Sequence, residues 1–344
     1  MPIRSGTAEL RLESDDPTGV TLLVNGVPSS YLDLVDPLRL DFEYMQEMAA
    51  VLDCWGAPGA PLVAVHLGAA GCALARAIDA ARPGSRQIAV EVDGELARLV
   101  RTWFDLPRSP ALRLRVGEAR EELGRLAPGT VDVVVRDAFA ESAVPAHLTT
   151  REFTGQVAAA LRTGGLYLAN CADRPPLALA RTEAATIADV FRHTALVAEP
   201  GVLRGRRYGN VVLVGTDDDE LLTSAALARS LRTLPVPARL LVDDEVTAFA
   251  AGAAVRRDEP SGADPVCRTA APPAPPAPPA PSRTTRTGWP RARRRVAPVA
   301  GYDPGVEEPL TGCRDQIALT CSAWGPLAPC VISNSTRWPS SSVR

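Results

Sequence analysis

The sequence predicts an α/β protein in which helices cover both faces of a mostly parallel sheet. Over residues 62–215, short apolar runs alternate with segments whose apolar residues recur at helical spacing. The runs, of which residues 131–135 are the clearest, are β-branched and nearly continuous, as in strands buried on both faces. We therefore expect a Rossmann-like domain over residues 51–254, preceded by a small antiparallel β unit.

Residues 1–50 form the predicted N-terminal unit. Apolar runs at 9–12 and 20–24 predict two short strands, and Asn25-Gly26 predicts a tight turn after the second. The apolar residues of 42–52 recur at helical spacing, so a helix is expected to lead into the next domain.

The second domain consists of alternating predicted strands and helices. Apolar, β-branched runs place strands at 62–67, 87–92, 112–116, 131–136, 166–170 and 210–214. Helical periodicity places helices between them, for example at 73–81, 94–104 and 152–161. A last run at 239–242 predicts an edge strand, which is followed by a short helix at 245–250.

The C-terminal part of the chain has a different composition. Residues 255–344 contain a proline tract, an arginine cluster and a mixture of Ser, Cys and Trp without any period. Such a stretch buries too little apolar surface to offset its ordering entropy. We expect a disordered tail in which the proline tract is a spacer.

Composition also narrows the class of function. A chain of 344 residues with 46% hydrophobic content can bury a sizeable core. It has no run near the roughly 18 apolar residues of a membrane helix, and its N-terminus is charged where a signal peptide is apolar. These features predict a cytoplasmic protein without a membrane partner. A net charge of −3 and the absence of lysine argue against nucleic acid as a partner.

The cysteines give no sign of a metal site. Cys54, Cys72 and Cys171 lie singly in apolar stretches, without the paired spacing of zinc ligands. Reduced thiols and no bound metal are expected.

Small and acidic residues follow the first three strands of the second domain. Gly68 and Gly71 lie in the turn to the first helix, where a ligand can approach the backbone and the helix N-terminus. The second strand leads to Glu91 and Asp93, where a carboxylate can accept both hydroxyls of a ribose, and Glu118 follows the third. Ligands bind at this edge of a parallel sheet. The pattern predicts a nucleoside site in which Glu91 holds the ribose.

The order of these segments resembles the spermidine synthase family and, more loosely, S-adenosylmethionine-dependent methyltransferases. The similar segments are the glycine turn, VEVD at 90–93, GEAR at 117–120, DAF at 137–139 and LRTGG at 161–165. The N-terminal β unit also fits the family and is usually absent from small methyltransferases. The resemblance covers about residues 20–250. It implies an enzyme that transfers an aminopropyl group to an amine and associates as a homodimer or homotetramer.

The resemblance assigns residues to the donor and to the chemical step. Glu91 would hold the ribose and Glu118 the adenine amino group, with Asp93 and Ala119 also on the donor side. Asp137, which ends the fourth strand, would deprotonate the attacking amine. An amine attacks carbon only when neutral, so a carboxylate at its nitrogen can orient it and take up the proton. The sulfonium leaves as a neutral thioether and needs no acid.

The acceptor side of the site is assigned to Tyr44, Glu141 and Tyr208. The family's second acid, three residues after the catalytic aspartate, is replaced here by Ala140, so Glu141 is the nearest carboxylate. Arginines at 204, 206 and 207 would repel a polyamine cation, which leaves the amine acceptor unspecified.

The donor also stays open between decarboxylated S-adenosylmethionine and S-adenosylmethionine. The glycine turn lacks the family's acid for the donor amine, whereas His66 stands where methyltransferases commonly carry an acid. The alternatives are a methyltransferase and a nucleoside-binding protein without turnover. His147 and His193 are expected to be structural or to face solvent.

Overall fold

A computed structural model of the protein describes residues 1–13, 16–140 and 143–259. These residues form a four-stranded sheet followed by an eight-stranded sheet with helices, which confirms the predicted α/β class. None of the helices in these ranges has the length and apolar character needed to cross a bilayer. In the same ranges, no group of His, Cys, Asp and Glu side chains is arranged to hold a metal ion.

The N-terminal sheet is antiparallel, and its strands lie in chain order. Asn25 and Gly26 form one of its turns, with φ values of 53° and 78° that these two residue types tolerate well. The strand after this turn was not predicted, because Ser29 and Ser30 interrupt its apolar pattern. The strands are β1 (Pro2–Ile3), β2 (Gly6–Glu13), β3 (Asp16–Val24) and β4 (Val27–Asp33).

The larger sheet contains the strands predicted for the second domain and one more. Its strands are β5 (Val63–Leu67), β6 (Arg86–Glu91), β7 (Leu112–Val116), β8 (Val131–Arg136), β9 (Leu161–Asp173), β10 (His193–Ala198), β11 (Gly209–Thr216) and β12 (Arg239–Val242). The order across the sheet is β12-β10-β11-β9-β8-β5-β6-β7. The strands from β9 to β7 are parallel, whereas β11, β10 and β12 each pair antiparallel with their neighbours. The unpredicted strand is β10.

Helices cover both faces of the larger sheet, as the near-continuous apolar strands require. Along β8, Val133 and Val135 belong to one hydrophobic cluster and Val134 to the other, so alternate side chains face opposite layers. One layer contains α1 (Glu43–Cys54), α2 (Ala73–Ala81), α3 (Gly94–Trp103) and α8 (Ala225–Arg232). The other contains α4 (Ala119–Gly124), α5 (Arg151–Ala160), α6 (Ala178–Ala188), α7 (Pro200–Leu203) and α9 (Asp244–Ala250).

The N-terminal sheet packs against the carboxyl edge of the parallel strands. The hydroxyl oxygen of Ser30 accepts a hydrogen bond of 2.9 Å from the Gly71 N–H. The backbone N–H and the hydroxyl of Ser5 both donate to Oδ2 of Asp93, at 2.7 and 2.8 Å. The β unit therefore contributes directly to the edge at which a ligand is predicted to bind.

Residues 255–259, which their composition assigned to the tail, lie against α4, α5 and α6. The Arg256 carbonyl accepts a hydrogen bond of 2.8 Å from the Arg151 N–H, and the Arg256 N–H donates to Oγ1 of Thr186 at 3.0 Å. The carboxylate of Asp258 accepts two hydrogen bonds from the Arg120 guanidinium, at 2.8 and 2.7 Å. The rest of the predicted tail, residues 260–344, lies outside the described residues.

Candidate active site

The turn after β5 passes directly over the end of β8. Gly68 has a φ of +93°, and a Cβ at this position would collide with the Asp137 carbonyl oxygen, so only glycine fits. Ala70 and Cys72 also have left-handed φ values, 38° and 60°, which non-glycine residues adopt at an energetic cost. Strained backbone of this kind clusters at functional sites.

Gly71 is packed against the N-terminal sheet. A Cβ at this position would overlap the side chains of Leu32 and Ser30. A small cavity lies at the turn, and its lining includes Ser30, Met45 and Asp137. The predicted glycine turn thus has β4 on one side and the end of β8 on the other.

Glu91 ends β6 beneath this turn and is only 9% exposed. The N–H groups of Ala69 and Ala70 donate to its Oε2 at 3.4 and 3.1 Å, and the Asp93 N–H donates to Oε1 at 3.0 Å. Burial raises the pKa of Glu91, and these three N–H groups oppose the rise. A carboxylate has about four acceptor sites, and three are used here, so Oε1 retains one site for a hydroxyl group of a ligand.

Asp93 connects three parts of the fold. Its Oδ1 accepts hydrogen bonds from the N–H groups of Glu95 and Leu96 at the start of α3, at 3.0 and 3.1 Å. Its Oδ2 accepts the two hydrogen bonds from Ser5. Burial acts to raise the pKa of Asp93, but the hydrogen bonds from Leu96 and Ser5 outweigh it and lower that pKa. A direct contact with the donor stays a prediction for this residue.

Glu118 stands after β7 at the same edge and caps α4. Its Oε2 accepts a hydrogen bond of 2.9 Å from the Glu121 N–H, and its Oε1 lies 2.9 Å from Nε2 of His147. Burial acts to raise the pKa of Glu118, but the contacts with His147 and backbone N–H groups lower it. The buried Ala119 begins α4 beside it. The His147 side chain is 50% exposed, so it faces solvent as expected, and it also contacts Glu118.

Asp137 follows β8, and two donors from distant parts of the chain hold its carboxyl group. The Tyr44 hydroxyl donates to Oδ2 at 2.9 Å, and Nδ2 of Asn170 donates to Oδ1 at 2.8 Å. The residue is half-buried and lines the small cavity at the glycine turn. Packing around the carboxyl group raises the pKa of Asp137, while Asn170, Tyr44 and Arg136 act in the opposite direction.

The remaining predicted acceptor-side residues are Tyr208 and Glu141, and Arg207 precedes Tyr208 in the chain. Tyr208 is 59% exposed on the loop before β11. Glu141 lies outside the described residues. Arg207, which was expected to repel cations, donates to Glu199 at 3.0 Å and to Glu43 at 3.4 Å. Its charge is offset by these two carboxylates, so Arg207 gives little reason to exclude a cationic acceptor.

Known proteins were compared with the chain at the level of sequence and structure. No family model and no curated protein matches it significantly. A solved structure of a probable spermidine synthase from Corynebacterium glutamicum is 37% identical, and the match covers 77% of this chain and 97% of that one with a TM-score of 0.71. The chain belongs to the spermidine synthase family.

Two further solved structures have lower sequence identity to this chain. Human methyltransferase-like protein 13 in complex with SAH is 19% identical over 65% of this chain and 98% of its own, with a TM-score of 0.47. Spermidine synthase from Thermotoga maritima is 18% identical over 72% of this chain and 80% of its own, with a TM-score of 0.48. Likeness at that level adds nothing to the family assignment.

Asn170, which contacts Asp137, was not predicted as a site residue of this spermidine synthase family member. It lies in the predicted strand at 166–170, but only the acids after other strands were singled out. The side chain is buried, and its Oδ1 has no hydrogen-bond partner in the described part of the chain. The rule that polar residues at strand ends form the site would also have selected it.

Proposed function

We propose that the chain transfers the aminopropyl group of decarboxylated S-adenosylmethionine to an amine. The observation that carries the proposal is the Asp137 carboxyl group, held by the Tyr44 hydroxyl and the Asn170 amide at the carboxyl edge of the sheet. The amine would attack the aminopropyl carbon bonded to sulfur as the carbon–sulfur bond breaks, releasing a neutral thioether nucleoside. The new C–N bond leaves a proton on nitrogen, which Asp137 would accept.

The donor would bind across the two neighbouring strand ends. Glu91 is oriented by three backbone N–H groups and has one acceptor site left for a ribose hydroxyl. Glu118, held by His147 and by the N–H at the start of α4, is available to the adenine amino group. Both placements agree with family membership.

The hydrogen bonds of the glycine turn favour the decarboxylated donor. A donor that keeps its carboxylate needs a cation or unoccupied N–H groups beside that carboxylate. The N–H groups of Ala69 and Ala70 donate to Glu91, and the N–H of Gly71 donates to Ser30. These groups would have to exchange partners before they could bind a donor carboxylate.

Methyl transfer from S-adenosylmethionine is the second candidate. It is favoured by the sequence of the turn, Gly68-Ala69-Ala70-Gly71-Cys72, which contains no acid to hold a donor ammonium. Calorimetric titration with the two donors separates the candidates. Preferential binding of the carboxylated donor would reject aminopropyl transfer, and amine-dependent release of methylthioadenosine would reject a protein without turnover.

Substitution of Asp137 by asparagine tests the chemical step. Asp137→Asn preserves shape and removes the base, so donor binding should persist while amine-dependent turnover falls roughly 10²–10⁴-fold. Because the pKa of Asp137 is raised, the wild-type rate should also increase with pH as the carboxyl group ionises, and the variant should lose this limb.

The matched control is Asp219→Asn, in the exposed segment after β11 at the opposite edge of the sheet. It should keep both the rate and the pH limb. Melting curves must show that both variants are folded. Normal turnover by folded Asp137→Asn would reject Asp137 as the base.

A further inference from the structure

Arg136 lies directly before the proposed base and is completely buried. It is the last residue of β8, which runs between β5 and β9 among the parallel strands. None of its surface is exposed, and its Nη1 atom has no hydrogen-bond partner among the described residues. An arginine keeps its charge when it is buried, so this position carries a positive charge inside the protein.

The Arg136 guanidinium has its partners on the face of the sheet that α6 covers. Its Nη2 donates to Oε2 of Glu183 on α6, and its Nε donates to the Tyr167 hydroxyl at 3.3 Å. Glu183 is also buried, and the thiol of Cys171 and the charge of Arg256 act on its carboxyl group as well. Burial raises the pKa of Glu183, and the contact with Arg136 acts in the opposite direction.

A buried ion pair of this kind is an inefficient way to stabilise a core. The attraction between the two charges is offset by the loss of their hydration, so well-packed apolar residues are often as stabilising or more so. The unpartnered Nη1 of Arg136 adds to that cost. The pair is therefore better explained by an effect on the neighbouring site than by packing alone.

Asp137 is the residue on which this charge acts. The backbone at Asp137 is fixed, because its N–H donates to the Leu67 carbonyl at 2.8 Å. Successive side chains of a strand point to opposite faces, so the guanidinium acts on the carboxyl group through the interior of the sheet, where charges are weakly screened. Of the described groups that act on this carboxyl group, Tyr44 and Asn170 are neutral donors, and only Arg136 carries a charge.

The described lining of the cavity at the glycine turn contributes no further charge. Besides Asp137, its titratable residues are His66 and Cys72. Burial lowers the pKa of His66 to about 4 and raises that of Cys72 to about 12, so both are neutral near pH 7. The charge of Arg136, reduced by Glu183, is thus the main electrostatic influence on the proposed base.

We propose that Arg136 is a positioning residue that tunes Asp137 through the sheet, with Glu183 as the counter-charge that limits its effect. Arg136 favours the ionised carboxylate that accepts the proton of the amine, and Glu183 keeps that carboxylate basic enough to do so. The inference rests on the proposed function for the role of Asp137 as base. It places control of the base on α6, on the face of the sheet opposite α1 and α2.

Two changes to the pair should move the pH limb of turnover in opposite directions. Glu183→Gln removes the counter-charge, so the unbalanced Arg136 should move the limb at least about 0.5 pH unit lower. The double substitution Arg136→Met with Glu183→Met removes the dominant positive charge, so the limb should move higher by at least about 0.5 pH unit. A pair with a purely structural role would change the melting temperature without opposite shifts of the limb.

A direct titration separates failure of this inference from failure of the proposed function. Protein isotope-labelled at its aspartate carboxyl carbons reports the ionisation of Asp137 by NMR, and Asp137→Asn identifies the signal. The midpoint should fall in Glu183→Gln and rise in the double variant, whether or not transfer occurs. An unchanged midpoint in the folded variants, or shifts in the same direction, would overturn the role of the pair. Absence of amine-dependent transfer, together with opposite shifts, would reject only the proposed reaction.

The matched controls use the pair of Arg239 and Glu245, which are 2.8 Å apart and more than half exposed at the edge of the sheet. Glu245→Gln, and Arg239→Met with Glu245→Met, make the same changes in net charge and should leave the Asp137 midpoint unchanged. Melting curves check that every variant is folded. If Glu183→Gln is unfolded because Arg136 is left unpaired, the double variant decides alone: an upward shift supports the inference, and no shift overturns it.

Discussion

Burial gives the acids of the site different protonation behaviour. Asp137 and Glu91 have raised pKa values because desolvation disfavours their charged forms. Glu118 and Asp93 are also desolvated, but hydrogen bonds to their carboxylates lower their pKa values. Glu118 and Asp93 are thus suited to constant contacts, and Asp137 is suited to proton exchange with an acceptor.

Glu91→Gln should weaken nucleoside binding at least about tenfold. An ionised carboxylate that accepts ribose hydroxyls makes charge-assisted bonds, each worth roughly 1.5–3 kcal/mol. The amide of glutamine is neutral, and its NH₂ group would face the N–H donors that now contact Glu91. Calorimetry with methylthioadenosine measures the loss, and Glu220→Gln is the control. Equal affinity of Glu91→Gln and wild type would place the ribose elsewhere.

At the scale of elements, the N-terminal sheet is part of the site. Ser30 on β4 meets the N–H of Gly71, and Ser5, just before β2, meets Asp93 at the start of α3. The close packing at Gly71 leaves no room for a Cβ. The small sheet therefore fixes the glycine turn in the conformation that orients Glu91.

Ser30→Ala should destabilise the protein and weaken donor binding together. It leaves the buried N–H of Gly71 without a partner, which costs about 1–3 kcal/mol. Ser29→Ala is the matched control, because Ser29 is only partly buried and its hydroxyl donates to the Val27 carbonyl instead of contacting the glycine turn. Thermal melting and methylthioadenosine titration of both variants provide the measurement. If Ser30→Ala behaved like Ser29→Ala, the contact with the glycine turn would be dispensable.

The local pattern of apolar residues predicted those strands and helices that are determined by their own sequence. The strand bounds at 131–136 agree with the structure because β8 is buried on both faces and has a continuous apolar run. The bounds at 112–116 also agree, although β7 is an edge strand in which leucine and arginine alternate. Strand β10 was missed because His193, Thr194 and two alanines dilute its apolar signal. Its place between β11 and β12 depends on antiparallel pairing with distant segments, which no local period encodes.

The same distinction applies to the site. Acids after strands were predicted, because parallel strands bring their carboxyl ends to one edge. Their partners come from far along the chain: Asn170 reaches Asp137 and His147 reaches Glu118 across 33 and 29 positions. The burial of Glu47 was not predicted, because its apolar neighbours on α1 made it one polar position in an amphipathic helix. Only tertiary packing reveals that this position is buried.

At the scale of the described chain, residues 255–259 pack beside Glu118, the residue that is proposed to bind adenine. Arg120 contacts Asp258 and also donates to the His147 carbonyl at 3.3 Å. His147 in turn contacts Glu118. The segment therefore supports, through two residues, the carboxylate that is proposed to bind adenine.

Two truncations should separate this segment from the sequence that follows it. Deleting residues 260–344 should leave the melting temperature and donor affinity unchanged, since that composition predicts no apolar face for a core. Deleting residues 256–344 also removes the contacts of Arg256 and Asp258 with Thr186, Thr149, Glu152 and Arg120.

The second truncation should lower the melting temperature by about 5–10 °C. The hydrogen bonds of residues 256–259 contribute roughly 0.5–1.5 kcal/mol each to the free energy of unfolding. The partly exposed Arg120–Asp258 ion pair adds at most about 1 kcal/mol. For a domain of this size, the melting temperature changes by about 2–4 °C for each kcal/mol. Methylthioadenosine affinity should fall as well, because Arg120 loses the carboxylate that orients it beside His147. Asp258→Asn in the full chain isolates this effect and should weaken binding without the full loss of stability. If both truncations melted together with wild type, residues 256–259 would support neither the fold nor Glu118.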